Sequence, residues 1–414
     1  MEHIHPLIES DERNLYTLGE ELFAMPELGW KEYRTRDRIL AFCRENGITE
    51  IQHYGETGLI ISIGSGKPHI GLIAEMDAIP TPGHPQEDPE THAAHSCGHS
   101  TQTAIMLEAM KVLKEELKER TGTVTLYCTP AEEFTDMAFR KQYVADGKAK
   151  AVCGKIAMLM DHVFDDADVL IHCHAMGAYA GHRFALGSTL AGFEYQEITF
   201  HGTASHAAVS PDKGCNALNM FALFQSAVGM LRETFVDEDK NRVHGIIIKG
   251  GATVNSIPDE VVYACYLRSF SKDNLELLRK KVDNAAMCCA KALGGTATFE
   301  TMEGDLPFHQ CEELNEVIHH AMLRHTTEDQ ILKGEMSVAA GDIGNVGCVK
   351  PTIQFGYTGF EGYCHGKTMC VKDPFEVYAV PCDIVVSSVL ELLEQPQEVE
   401  YIKECFRQKH PEAL

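Results

Sequence analysis

The run His69-Ile70-Gly71-Leu72-Ile73-Ala74-Glu75-Met76-Asp77-Ala78-Ile79-Pro80 decides how the rest of the chain is read. Apolar residues from 69 to 74, with Pro68 before them and carboxylates after, predict a strand covered on both faces that ends in a polar loop. Upstream, residues 58–63 predict a second such strand. Downstream, residues 101–118 place Ile105, Leu107, Ala109, Val112, Leu113 and Leu117 on a helix. Residues 123–128 predict a further strand, stopped by Pro130 with Glu132-Glu133 beyond, and residues 167–173 repeat the arrangement with His174 after them. Strand, loop with an ionisable residue, helix, strand is the rhythm of an α/β sheet, in which ligands bind at the carboxyl ends of the strands.

Composition bounds the alternatives. A chain of 414 residues exceeds what one core usually supports, so two domains are expected, and 44% hydrophobic residues suffice to pack them. With 61 acidic against 36 basic residues the net charge is -25, which argues against nucleic acid and acidic membranes as partners. The amino-terminal stretch 1–11 lacks a signal-peptide core and no run reaches the length of a membrane span, so a cytoplasmic location is expected. The 15 Cys, many in apolar runs such as Met287-Cys288-Cys289-Ala290, are expected to be reduced thiols.

On the rim of this sheet stand Asp77, Glu132, Glu133 and His174, and His92-Ala93-Ala94-His95-Ser96-Cys97-Gly98-His99 leads into the first long helix. Any one of these alone is more often a solvated loop residue or a satisfied structural group. Together they are the residue types that a divalent metal takes as ligands. Gly98 allows the tight bend that turns Cys97 and His99 toward one ion. Side chains of neighbouring extended residues diverge, so one of Glu132 and Glu133 can bind an ion while the other faces the attacking water.

Further along, strands at 193–200, 243–248, 261–269 and 296–301 alternate with helices at 217–231 and 274–292. That order is a split βαβ, ferredoxin-like α+β fold. The chain is therefore divided into a larger α/β domain of residues 1–185 and 303–414, with a mixed, mainly parallel sheet between helices, and an inserted domain of residues 186–302.

Six ordered motifs resemble a known family. Ala74-Glu75-Met76-Asp77-Ala78-Ile79-Pro80, His95-Ser96-Cys97-Gly98-His99, Thr129-Pro130-Ala131-Glu132-Glu133, residues 201–206, Asn255-Ser256-Ile257-Pro258 and Gly341-Asp342-Ile343-Gly344-Asn345 are similar to the aminoacylase-like metallohydrolases of peptidase family M20. Within it they resemble the branch of N-acyl-amino-acid amidohydrolases, auxin-conjugate hydrolases and p-aminobenzoyl-glutamate hydrolases, down to Met25-Pro26-Glu27-Leu28-Gly29.

The resemblance implies a dinuclear metal-dependent amidase of aminoacylase or carboxypeptidase type. Its two divalent ions, zinc or manganese with cobalt or nickel as further candidates, would be held by Cys97 as bridge with His99, Glu133, His174 and His365. Glu132 would be the general base and Asp77 would orient a ligand. The inserted domain would be a lid and homodimerisation domain, from which His206 and Asn255 meet a small amide substrate, as does Arg268 unless it serves the lid surface alone. The branch usually has Asp or Asn where this chain has Ser100, often His at Gln102, and commonly Asp at Glu75. Two other readings are a catalytically silent relative used for binding or assembly, and a Cys-rich redox or metal-storage device.

Overall fold

The computed structural model describes residues 4–179 and 181–411, so residues 1–3 of the amino-terminal stretch considered above and residues 412–414 lie outside it. The described chain falls into two compact units. One runs to Ser188 and includes His309–Glu335 and the segment from Asn345 onward; the other comprises Thr189–Phe308 and Met336–Gly344.

In the first unit an eight-stranded sheet runs in the order Glu50–Tyr54, Gly58–Ser65, Gly122–Thr129, His69–Glu75, Val169–Ala175, Thr352–Tyr357, Phe184–Leu186 and Ile331–Lys333. Its four central strands are mutually parallel, while Gly58–Ser65 runs antiparallel to both of its neighbours. The central strands are buried almost end to end, which is why their sequences are continuous apolar runs. Their carboxyl ends deliver Asp77, Glu132, Glu133 and His174 to one edge. His174 lies inside its strand, as the penultimate residue of Val169–Ala175, and not in the loop after it as the sequence suggested.

The helix His99–Glu116 crosses this sheet and is flanked by Pro6–Phe23 and Val380–Glu394. Covered from both sides, it buries every residue from His99 to Met110, polar ones included, so the apolar stripe expected from its sequence is wider than a stripe. Gly98 caps it at φ 91°, and a Cβ there would stand 2.4 Å from Ala175 Cβ. Position 98 is therefore closed to any other residue.

The second unit is a four-stranded antiparallel sheet in the order Arg242–Lys249, Glu260–Ser269, Gly192–His201, Thr296–Glu303. Helices Ala217–Leu231 and Lys272–Ala292 pack against it, and Ile198, Phe200, Phe224, Leu267 and Val282 form its core. This is the expected split βαβ order. Met336–Ser337 pairs in parallel with Thr189–Leu190, and Ala191 N–H donates to Ser337 and Ala339 carbonyls. Those bonds attach most of the Gly-containing stretch 339–345 to this unit rather than to the first.

Candidate metal centre

Three loops, one strand and the first residue of helix His99–Glu116 bring nitrogen, sulfur and oxygen donors of the first unit together. Cys97 Sγ lies 3.5 Å from His174 Nε2 and 3.3 Å from His365 Nε2, although 268 residues separate Cys97 from His365. His365 Nε2 is also 3.3 Å from Glu133 Oε1. Two overlapping donor groups result, Cys97 with His99 and His174, and Cys97 with Glu133 and His365, each with its atoms within 4.8 Å of one another. Cys97 belongs to both. Glu132 and Glu133 form a third group with His99, Glu132 Oε2 standing 3.9 Å from His99 Nε2.

Backbone and carboxylate partners orient these rings. His99 Nδ1 donates to Asp77 O at 2.9 Å, with Asp77 Oδ1 at 3.3 Å, and His174 Nδ1 donates to Ala175 O at 2.8 Å. Each bond leaves the Nε2 lone pair for the cluster. His365 sits at φ 63° with its N–H on Ser96 O at 2.6 Å, which ties its loop to the Cys97 loop. Asp77 Oδ2 accepts the Glu133 N–H at 3.0 Å, so one carboxylate holds both a histidine and the acidic dipeptide.

The electrostatics suit a bound cation. His99 Nε2 and Glu133 Oε1 are buried without a hydrogen bond. Burial lowers His174 to about 4, which keeps the ring a neutral donor. Burial opposes the charge on Glu133, yet His365 and His99 outweigh it and hold the carboxyl at about 2. Burial also opposes charge on His99, but Glu75 and Asp77 lift it to about 9. Cys97 is pushed well above the usual thiol range by burial and then by Glu133. A divalent ion would reverse both balances, because it supplies the positive charge these carboxylates now draw from a proton. The residues present thus fit two such ions.

Behind His99 lies a set that the sequence did not single out. Glu75 Oε2 is 3.2 Å from His99 Nε2, and Glu75 Oε1 is 2.5 Å from Lys155 Nζ and 3.3 Å from His172 Nε2. All four side chains are at most 2% exposed. Burial opposes the Glu75 charge, but Lys155, His172 and His99 hold it well below the usual carboxylate range. Nothing in local sequence marks Lys155, since an isolated Lys is ordinarily solvated.

The second unit places His206 and Asn255 side by side. Ala207 N–H donates to Asn255 O at 3.0 Å, and His206 Nδ1 accepts from Ala208 and Val209 N–H, both at 3.2 Å. Both residues are exposed. Arg268 stands apart from them, eight residues along Glu260–Ser269 and so roughly 26 Å from its start at about 3.3 Å per residue. Its Nη1 donates to Val338 O at 2.9 Å and its guanidinium covers the Phe193 and Tyr266 rings.

Residues 71–387 match the family model described as peptidase family M20/M25/M40. IAA-amino acid hydrolase ILR1-like 4 of Arabidopsis thaliana is 26% identical over 321 residues, 74% of this chain and 67% of its own length. Xaa-Arg dipeptidase of Mus musculus is 27% identical over 384 residues, 86% of this chain and 80% of its own. A Bacillus subtilis structure described as a dinuclear metal binding peptidase from M20 family superposes with a TM-score of 0.72 at 19% identity, covering 93% of this chain and 99% of that one. With the six motifs in order, and a family match that spans well over half of its length, the chain belongs to peptidase family M20/M25/M40.

Proposed function

We propose that this protein hydrolyses the amide bond of a small N-acyl amino acid, an aminobenzoyl-glutamate-like conjugate or a dipeptide. The observation that carries the reading is the pair of donor groups sharing Cys97, with Glu132 beside them and outside both. Cys97, His99 and His174 would hold one divalent ion, and Cys97, Glu133 and His365 the other. Zinc and manganese suit this mixed thiolate, imidazole and carboxylate set, with cobalt or nickel as further candidates. When bound, the two ions would lower the pKa of a shared water and polarise the scissile carbonyl.

The chain's own groups complete the reaction. Glu132 takes the water proton as the oxygen adds to the carbonyl carbon, and returns it to the amine as the C–N bond breaks. Asp77 fixes the His99 ring through Nδ1. His206 and Asn255, on an exposed edge of the inserted unit, would meet the substrate, and Arg268 would serve it from a separate position or serve the lid surface alone. The names of the two sequence relatives, an IAA-amino acid hydrolase and an Xaa-Arg dipeptidase, support a substrate with an amino acid on the leaving side.

A homodimer through the inserted unit is part of the reading. The edge strand Arg242–Lys249 leaves Ile246, Ile247 and Ile248 exposed by 67%, 43% and 52%, an apolar edge of the kind that pairs with a second copy. Among the described residues no helix is long and apolar enough to cross a membrane. Cys43, Cys97, Cys128, Cys173, Cys265 and Cys382 are buried thiols, in keeping with the reducing, cytoplasmic setting proposed here. The intact Cys97, His99, Glu132 and Glu133 weigh against a silent relative, since loss of the base or bridge is the expected mark of one. The experiment is a screen of N-acyl amino acids, p-aminobenzoyl-glutamate and dipeptides with protein loaded in turn with zinc, manganese and cobalt. Turnover in at least one metal form supports the reading; two bound ions with no turnover anywhere favours the binding protein.

A further inference from the structure

The dipeptide Glu132-Glu133 leaves its strand through Ala131, whose φ of 56° is a left-handed backbone that a residue with a Cβ adopts only when its surroundings hold it there. Buried polar groups grip both ends of this residue. Glu32, fully buried, accepts the Ala131 N–H through Oε1 at 2.8 Å. Arg140, also fully buried, donates through Nη1 to Ala131 O at 3.0 Å, and Gly154 N–H reaches the same oxygen at 3.3 Å. The other arm of the guanidinium, Nη2, lies 3.5 Å from Asp77 Oδ2, the atom that accepts the Glu133 N–H. Space for this fork depends on Gly29, where a Cβ would stand 2.1 Å from Arg140 Nη2 and 2.7 Å from Ala131 Cα.

We propose that Glu32 and Arg140 are positioning residues that lock Ala131 in its left-handed turn and thereby fix the directions in which Glu132 and Glu133 project. Apolar side chains of similar volume would fill the same space without burying a carboxylate and a guanidinium. What the charged pair adds is a set of directed bonds to the N–H and the C=O of one residue, together with a link through Asp77 to Glu133 and to the His99 ring. The inference rests on Glu132 as base and Glu133 as ligand. Misdirection by about an ångström at such a site costs on the order of a hundredfold in rate.

The test uses the metal-loaded enzyme with Glu32→Ala, Glu32→Gln and Arg140→Lys, alone and combined with Glu132→Gln. Glu32→Ala is expected to lower kcat by about ten- to a hundredfold with KM within about twofold. Glu32→Gln, which keeps an acceptor for the Ala131 N–H, restores most of the rate. Arg140→Lys, which keeps charge but loses the fork, behaves like Glu32→Ala and serves in its place if that protein does not fold. In the Glu132→Gln background the part of the loss that runs through the base disappears, so each change lowers the rate less there than in the parent; an equal loss in both backgrounds overturns the proposal. A crystal structure of Glu32→Ala or Arg140→Lys is the readout independent of turnover. Displaced Glu132 and Glu133 carboxylates support the clamp, and unmoved carboxylates overturn it. That readout keeps the clamp testable if the parent hydrolyses nothing in the substrate screen, an outcome that defeats the functional reading alone.

Discussion

Glu132→Gln and Glu133→Gln form a pair whose outcomes must differ if the geometry assigns the roles correctly. Glu133 Oε1 sits 3.3 Å from His365 Nε2 in a group with Cys97, and its carboxyl, held at about 2, stays ionised at any working pH. Glu132 is only half-buried, and its Oε2 stands 3.9 Å from His99 Nε2. Replacing Glu132 by Gln keeps shape but removes the proton acceptor, a loss of about two to four orders of magnitude in kcat or roughly 3–5 kcal/mol in barrier. Two ions per chain should remain by elemental analysis after dialysis. Glu133→Gln should instead weaken one ion by more than the ten- to hundredfold that an outer hydrogen-bond partner is worth, read by chelator competition. If Glu132→Gln loses an ion and Glu133→Gln keeps both, the roles are exchanged. Two variants at parental rate and metal content would refute the site itself.

Three further outcomes follow from the same geometry. Cys97→Ser, which removes the only group common to both ligand sets, should lower bound metal and abolish turnover while circular dichroism stays native; parental metal content and rate would sink the bridge. Glu108 is 1% exposed and burial raises its pKa from 4.5 to about 7, against the pull of Lys111. The folded carboxyl therefore keeps a proton that the unfolded chain has lost, so stability falls as pH rises from about 4.5 to about 7. The accumulated loss is on the order of 3 kcal/mol, so Glu108→Gln should raise the unfolding midpoint at pH 8 and leave it unchanged at pH 4; an equal shift at both would refute the cause. Glu132→Gln and His206→Ala chains, each nearly inactive alone, should recover activity when exchanged into mixed dimers if His206 serves the partner's site, and a verified mixed dimer as inactive as its parents would rule that out.

The parallel strands were legible because burial on both faces forces apolar runs, and their carboxyl ends then located Asp77, Glu132 and Glu133 without any contact information. The three-residue strands Phe184–Leu186 and Ile331–Lys333 were not, since so short a segment has no periodicity to show. The meeting of His365 with Cys97 could come only from the resemblance, because loop closure over 268 residues leaves no local trace. Glu32 and Arg140 were invisible for another reason. Each is a charged residue type that is almost always solvated, and only three-dimensional burial shows that these two are spent on the backbone of Ala131.

The departures at positions 75 and 102 also take on a physical meaning that the sequence could not supply. Gln102 accepts the Glu75 N–H through its side-chain oxygen, while its amide nitrogen lies 3.2 Å from Glu75 Oε2, 3.0 Å from His172 Nε2 and within bonding distance of Cys173 O. An imidazole at 102 has two ring nitrogens that point in opposite directions, so it cannot give a donor and an acceptor to neighbouring groups on one side as this amide does. Glu75, one methylene longer than Asp, spans from Lys155 Nζ to His99 Nε2. The two departures therefore belong to a single buried polar set with Lys155 and His172, and in such a set the loss of one member leaves the others unpaired in a low dielectric. Glu75 meets the donor cluster at the His99 ring, which Asp77 holds on Nδ1 and Glu75 faces near Nε2, and it also has a carboxylate oxygen within 4.8 Å of one of Glu132. The two substitutions therefore bear on the donor cluster at two places, the His99 ring that Glu75 faces and the strand that carries His174, whose neighbouring Cys173 carbonyl accepts from Gln102.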